Sequence, residues 1–190
     1  MSQDLDIGKY HLNEKLVERL ENQLYRDNPP ITYPPEYAEW TKENLLRFTI
    51  RLARYKFVAR ILSAQDRVLE VGCGSGLGSI FVSQHVEHVT GLDVKSYELD
   101  EARELNRRDN VDFIEGDFFD HELKNPYDAV MALDVIEHMP IEDGDKFIRQ
   151  MARTITDDGV AIIGTPSIYS YPYQSPISQA SHVKCYDQEE

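Results

Sequence analysis

The 190-residue chain is short of basic side chains, of cysteine and of long apolar runs, and each shortage removes a class of function. Lys and Arg together number 20 against 34 Asp and Glu, a formal net charge of −14. Non-specific attachment to nucleic acid or to an anionic membrane depends on clustered Lys and Arg. Neither is therefore expected as a partner, although the balance leaves room for a local basic pocket. Two cysteines, Cys73 and Cys185, cannot build a disulfide framework, and neither belongs to a paired-thiol metal motif. No apolar run reaches membrane-spanning length and no leader-like stretch opens the chain. The expectation is a soluble, cytoplasmic protein. With 41% hydrophobic residues it can bury a sizeable core as one compact domain.

The chain changes texture along its length. Leu12, Leu16, Leu20 and Leu24 are four apart, which sets one leucine per turn on a single helical face. Asn28-Pro29-Pro30 stops that helix and Tyr33-Pro34-Pro35 continues as a rigid, aromatic connection. From Glu36 to Leu62 the pattern is helical again, with Tyr37, Trp40, Leu45, Phe48, Leu52, Tyr55, Ala59 and Leu62 recurring three or four apart. Residues 1–62 are thus expected to form an N-terminal helical extension or lid, and residues 63–190 the core. In the core, short apolar strands are expected at Arg67 to Val71, His88 to Asp93, Val111 to Glu115, Tyr127 to Leu133 and Gly159 to Gly164. Helices are expected between them at Gly76 to His85, Tyr97 to Arg108 and Asp143 to Thr156. Such alternation points to an α/β fold of βαβ units around a mostly parallel sheet, with ligands outside the carboxyl ends of the strands.

The first strand runs into Glu70-Val71-Gly72-Cys73-Gly74-Ser75-Gly76-Leu77-Gly78. Alternate glycines permit a tight turn and close backbone approach to a ligand, and a helix amino terminus supplies free N–H donors. A phosphate-cradling P-loop needs a Lys-Ser or Lys-Thr pair entering the helix, and there is no lysine between Arg67 and Lys95. A dinucleotide turn needs a third Gly or Ala, but that place holds Leu77 or Ser79, depending on register. Glu70 would also sit poorly beside a pyrophosphate. A phosphate-free cofactor with cationic centres suits it better, and S-adenosylmethionine, with its sulfonium and ammonium, is one.

Val68-Leu69-Glu70-Val71-Gly72-Cys73-Gly74-Ser75-Gly76 resembles the first motif of the class I S-adenosylmethionine-dependent methyltransferases. Gly91-Leu92-Asp93-Val94 is similar to that family's second-strand motif, whose acidic residue takes the ribose hydroxyls. Asp93 follows Gly72 by 21 positions, about the spacing at which a carboxylate closing the second strand reaches a ribose. Glu115-Gly116-Asp117-Phe118 resembles the third-strand motif, in which the Asp accepts from the adenine amino group and the next residue packs on the ring. Ala132-Leu133-Asp134-Val135-Ile136-Glu137-His138 resembles the fourth-strand motif beside the methyl-transfer site. The resemblance implies a Rossmann-like sheet of order 3-2-1-4-5 with helices on both faces. It makes Glu70, Gly72, Cys73, Gly74, Gly76, Asp93, Val94, Gly116, Asp117, Phe118, Leu133 and Asp134 the cofactor-binding residues. Asp93 and Asp117 could alternatively cap the turn that follows each, and Glu70 could serve a salt bridge.

Methyl transfer is an in-line displacement, so alignment supplies most of the catalysis. An oxygen or nitrogen nucleophile must also lose a proton, to a base or through a metal. His138 is the base candidate, since imidazole titrates near working pH, with Asp134 and Glu137 as the other catalytic candidates. These three also form an oxygen and nitrogen cluster similar to the acidic-x-x-Glu-His set with which some quinone O-methyltransferases hold a divalent ion. The working expectation is no metal, with Asp134, Glu137 and His138 as the candidates should one bind.

Gly164-Thr165-Pro166-Ser167 and the later His182-Val183-Lys184-Cys185 resemble a subset of this family. The aromatic loop between them is placed to cover a substrate. Tyr169, Tyr171, Tyr173 and His182 are the substrate candidates there, joined from the N-terminal lid by Tyr10, Tyr33 and Trp40. The family's sheet usually carries two more strands after the fifth, and these are missing from the sequence. The expectation is either a shortened chain or an exposed sheet edge that pairs with a second copy. The function expected is methyl transfer to a small-molecule acceptor, of sugar or quinone type. Two alternatives are a non-catalytic S-adenosylmethionine-binding module and an NAD-dependent oxidoreductase.

Overall fold

The computed structural model describes residues 14–27, 32–120 and 126–187, and the readings that fall on Tyr10 and Leu12 lie outside them. The chain divides into two compact units, 1–32 and 33–190. The first holds helix α1 (Glu14–Asp27), whose Leu16, Leu20 and Leu24 are exposed. In the second, α2 (Pro35–Glu43) and α3 (Leu45–Ile61) precede β1 (Arg67–Val71), α4 (Leu77–Val82), β2 (His88–Asp93), α5 (Ser96–Leu105) and β3 (Val111–Glu115). There follow β4 (Tyr127–Leu133), a 3₁₀ turn (Ile136–His138), α6 (Ile141–Thr154), β5 (Ile155–Gly164), a second 3₁₀ turn (Ile168–Tyr173) and α7 (Pro176–Ser181). The segment from Glu36 to Leu62, which reads as one helical pattern, is broken at Asn44. The Asn44 side chain accepts from the Arg47 N–H at 3.0 Å and caps α3, in the ordinary preference of Asn for helix starts. The two helices belong to the same compact unit as the sheet.

The sheet is parallel throughout and its order is β3-β2-β1-β4-β5, as the resemblance implies. Side chains alternate across it. Val68 of β1 joins Val89, Val111, Met131 and Ile162 on one face, packed under Tyr55 and Val58 of α3 and Val82 of α4. Leu69 and Val71 join Leu92, Val130 and Ala132 on the other, packed on Phe147 and Met151 of α6. Each fully buried Leu, Val, Phe or Met contributes about 1.5–3 kcal/mol, so covering both faces is what holds these short strands together. β5 starts earlier than Gly159. Ile155 already pairs with Tyr127, and the register then shifts before Ala129 meets Val160. Helix α4 ends at Val82 rather than His85, α5 spans Ser96–Leu105, and α6 starts and stops two residues before the expected limits. Among the described residues no helix is long and apolar enough to cross a membrane.

Candidate active site

The turn after β1 is the first element of the site. Gly72, Gly74 and Gly76 all have positive φ, at 73°, 52° and 78°, a region that glycine enters without penalty. The Gly74 N–H donates to Asp93 Oδ2 at 2.8 Å, and the Lys95 N–H donates to Asp93 Oδ1 at 3.0 Å. Asp93 therefore ties the glycine turn to the end of β2 and caps the turn into α5. Each carboxylate oxygen has two acceptor positions, so both keep capacity for a further donor.

A cavity of about 1270 Å³ opens over the carboxyl ends of the strands. Gly72, Gly74, Asp93, Val94, Leu133 and Asp134 line it from the sheet side. Trp40, Glu137, His138 and His182 line it as well. The remaining expected residues lie elsewhere. Glu70, Cys73 and Gly76 are buried beneath the turn. Burial pushes the Cys73 thiol far up, so it stays protonated. Asp117 is exposed and accepts from the Phe119 N–H at 2.9 Å. Phe118, beside Gly116 and Asp117, packs edge-on against Phe147 at 5.3 Å in the core, where its apolar ring is dry. Tyr33, Tyr169 and Tyr171 are exposed and stand off the cavity, whereas Tyr173 lines it.

Strand parity decides the fate of Glu70. It shares the face of Val68, and so it points up at α3 rather than into the cavity. The Ser79 hydroxyl donates to its Oε2, Tyr55 of α3 also bonds to the carboxyl, and Oε1 has no recorded hydrogen-bond partner. Burial pushes the Glu70 carboxyl up to about 7, against the lowering effect of Ser79 and Tyr55. Of the two sequence readings for this residue, ligand contact or salt bridge, the structure supports neither; Glu70 joins β1, α4 and α3. Gly78 makes this possible, because a Cβ there would lie 2.1 Å from the Tyr55 ring.

At the end of β4, Asp134 has a φ of 59°, a left-handed conformation that costs a non-glycine residue about 1–2 kcal/mol. Its N–H donates to the Gly164 carbonyl at 2.7 Å, and its carboxylate pairs with Arg54 of α3. Glu137 is fully buried. Its Oε2 accepts from the Thr165 hydroxyl at 3.0 Å, its Oε1 has no partner, and burial raises its carboxyl. The tail folds back onto this residue, with the Val183 N–H donating to the Glu137 carbonyl at 2.7 Å. His138 Nδ1 lies 2.9 Å from the Ser181 carbonyl, which can only accept, so Nδ1 carries a proton and, in the neutral ring, Nε2 has the lone pair. The His138 and His182 rings meet edge to face at 5.0 Å. Burial, then neighbouring His138, lowers the His182 pKa.

The helix wall of the cavity was not anticipated from sequence. Arg47, Arg51 and Arg54 line it together. Arg51 lies 3.6 Å from Glu36, and both Arg47 and Arg51 stack over the Trp40 ring, at 5.3 and 4.9 Å. Their spacing of four and three residues was the available signal, since it sets the three guanidiniums on one side of a helix.

Residues 68–159 match the family model described as a methyltransferase domain. That segment is just under half of the chain, and over it the chain is similar to the methyltransferases. A ubiquinone biosynthesis O-methyltransferase of Rickettsia bellii is 29% identical over 118 residues, covering 61% of this chain and 48% of that protein. The solved structure titled DhpI-SAM-HEP complex superposes with a TM-score of 0.58 at 19% identity, over 93% of this chain and 76% of the other. The sugar N-methyltransferase KedS8 from Streptoalloteichus gives a TM-score of 0.58 at 20% identity, over 76% and 61%. At these identities the structural likeness is one of fold. The chain spans about half the length of curated relatives such as the Rickettsia enzyme.

The methyltransferase family takes S-adenosylmethionine, and the cavity's chemistry fits that ligand. Asp93, Glu98, Asp134 and Glu137 line it, carboxyl groups suited to a sulfonium and an ammonium. The glycine turn offers bare backbone, and at Gly74 the φ of 52° is what disfavours a side chain, since the one close neighbour of a Cβ there would be the movable Glu98 Oε2.

Proposed function

We propose that this chain transfers the methyl group of S-adenosylmethionine to an oxygen or nitrogen of a small-molecule acceptor, of sugar or quinone type. One observation carries the reading: the glycine turn, Asp93 and the Asp134-to-His138 segment face a single cavity. The donor, when bound, supplies a methyl carbon made electrophilic by the adjoining sulfonium. The residues of this chain hold it and present the acceptor. Gly72 and Gly74 give the donor a close backbone surface, Asp93 takes the ribose hydroxyls with its remaining lone pairs, and Val94, exposed at the cavity, offers the base an apolar contact. Asp117 and Phe118 are assigned to the adenine by their motif, and Glu70, Cys73 and Gly76 support the turn from beneath. Leu133 and Asp134, which line the cavity at the end of β4, would border the donor's methyl group, with Arg54 fixing the Asp134 carboxylate. His138, with its lone pair on Nε2, is the group that takes the acceptor's proton. Trp40 and His182 belong to the acceptor's surroundings, whereas Tyr33, Tyr169 and Tyr171 can reach it only if their segments move.

O-methylation and sugar N-methylation, the activities named for the Rickettsia and Streptoalloteichus relatives, support an oxygen or nitrogen acceptor. The test is incubation of methyl-labelled S-adenosylmethionine with a small-molecule extract and either the wild-type chain or Asp93→Ala. Label in an extract compound, reduced at least tenfold by Asp93→Ala, is the expected result. Equal incorporation by both chains removes this cavity as the place of transfer.

A further inference from the structure

The charges that line the cavity do not pair off evenly. Lys95 meets Glu98 at 2.6 Å, and Arg54 pairs with Asp134. Asp93 accepts from two backbone N–H groups and, under the proposed function, from a ribose. Arg51 meets Glu36 at 3.6 Å, beyond hydrogen-bond length. Burial also raises the Glu36 carboxyl, which disfavours the negative charge that Arg51 needs. Among the described residues no carboxylate lies within ion-pair distance of Arg47, whose side chain reaches the Trp40 ring and Ser178 Oγ. Arg47 and Arg51 stand one helical turn apart on α3, and both lie over the same indole ring, at 5.3 and 4.9 Å. Like charges at that spacing repel. The indole holds both guanidiniums in place but has no acceptor atom for their N–H groups. A chain of net charge −14 thus keeps a concentrated positive patch with unspent donors inside this cavity. The patch lies toward the tail: Arg47 bonds Ser178 of α7, and after burial and His138 it is a further cause of the lowered His182 pKa.

We propose that Arg47 and Arg51 form a subsite for an oxyanion group of the acceptor, a phosphate or a carboxylate. The inference rests on the methyl-transfer reading and narrows its sugar- or quinone-type acceptor to one that carries such a group. The guanidinium fork selects the ligand, because it meets phosphate or carboxylate through two parallel N–H···O bonds that a single neutral hydroxyl cannot accept. An anion between the two arginines also offsets their mutual repulsion. Held there, the acceptor has one end fixed while its reacting hydroxyl or amine turns to the donor. His138 keeps its part as the base. Arg54 is excluded from the subsite because Asp134 already occupies it.

The test is calorimetry on the full chain saturated with S-adenosylhomocysteine, so that the donor's own carboxylate is already seated. The probes are glucose 1-phosphate and benzoate, with glucose and methyl benzoate as their neutral counterparts. Saturable millimolar binding of one or both anionic probes, and of neither neutral one, is expected; the tighter of the two names the group as phosphate or carboxylate. Arg47→Ala and Arg51→Gln should each weaken that binding at least about tenfold. Arg51→Lys, which keeps the charge but loses the fork, should recover only part of it. Arg60→Ala, on the same helix but outside this cavity, should leave it unchanged. Circular dichroism shows each variant folded, and an unaltered S-adenosylhomocysteine affinity shows the donor's place intact. With methyl-labelled S-adenosylmethionine and a small-molecule extract, the labelled product should be retained by an anion exchanger at neutral pH. Failure of both anionic probes to bind, equal binding of the neutral ones, wild-type affinity in Arg47→Ala and Arg51→Gln, or an uncharged product overturns the subsite. Loss of S-adenosylhomocysteine binding in Arg47→Ala overturns it too, by assigning the arginine to the donor's carboxylate. Probe binding that Arg47→Ala abolishes, with no labelled product, sinks methyl transfer and leaves the anion subsite standing.

Discussion

The two walls of the cavity are built on different principles. The sheet wall consists of consecutive residues at strand ends: the glycine turn after β1, Asp93 after β2, and Leu133 with Asp134 at the end of β4. Its geometry follows from local backbone, three positive-φ glycines and one carboxylate that accepts two neighbouring N–H groups. The helix wall is made of side chains one turn apart on α3, held by long-range pairs. Arg54 meets Asp134, 80 positions away, and Tyr55 meets Glu70. Under the proposed function the sheet wall would hold the donor and the helix wall would face the acceptor.

The largest effect expected from perturbing the junction between these walls is at Glu70. Its carboxyl is raised from 4.5 to about 7 in the folded chain. The folded state therefore binds its proton more tightly than the unfolded state, and stability falls as pH rises from about 4.5 to 7. The loss is at most about 3.4 kcal/mol. Glu70→Gln should remove most of that slope, seen as a urea midpoint that changes less between pH 5 and 8 than in the wild type. An unchanged slope would show that Glu70 is not the group responsible.

Gly78→Ala comes next. Alanine favours a helix by about 1 kcal/mol over glycine, but its Cβ would lie 2.1 Å from the Tyr55 ring. A net loss of about 1–3 kcal/mol is expected. Tyr55→Leu in the same chain should recover part of it. Strictly additive losses would mean that α3 does not press on α4 at this point.

Asp93→Ala should weaken S-adenosylhomocysteine binding by at least tenfold, because hydrogen bonds to a charged group contribute about 1.5–3 kcal/mol. The smallest effect on the protein itself is expected at Arg47. It is exposed, and the described contacts of its side chain are the Trp40 ring and a 3.4 Å bond to Ser178 Oγ. Arg47→Ala should change stability by less than about 0.5 kcal/mol and leave nucleoside affinity intact, while altering the acceptor's KM. Weakened nucleoside binding in Arg47→Ala would end the division of labour between the walls.

The same contrast explains how much was legible in the sequence. The limits of β1 to β4 match their apolar runs, because buried parallel strands read as short hydrophobic stretches ended by Gly or Asp. The sheet order followed from the family resemblance. Helix ends were less well marked, and the break at Asn44 was hidden by apolar spacing that continues across it. Trp40 and His182 were picked out as aromatic or ionisable residues near the site, and both line the cavity. The arginines of α3 were passed over in a strongly acidic chain, where a single basic face contributes little to the total. Glu70 was placed by its motif beside a ligand, yet strand parity turns it to Tyr55. Pairings such as His138 with His182 depend on how the tail after β5 folds back, which no local pattern encodes.

The most direct test of the central claim is calorimetry of the whole chain with S-adenosylhomocysteine and, separately, with NAD. Saturable binding of S-adenosylhomocysteine, weakened at least tenfold by Asp93→Ala and accompanied by no uptake of NAD, is the predicted result. Preferential binding of NAD, or equal affinity of the wild-type and Asp93→Ala chains for S-adenosylhomocysteine, would contradict it.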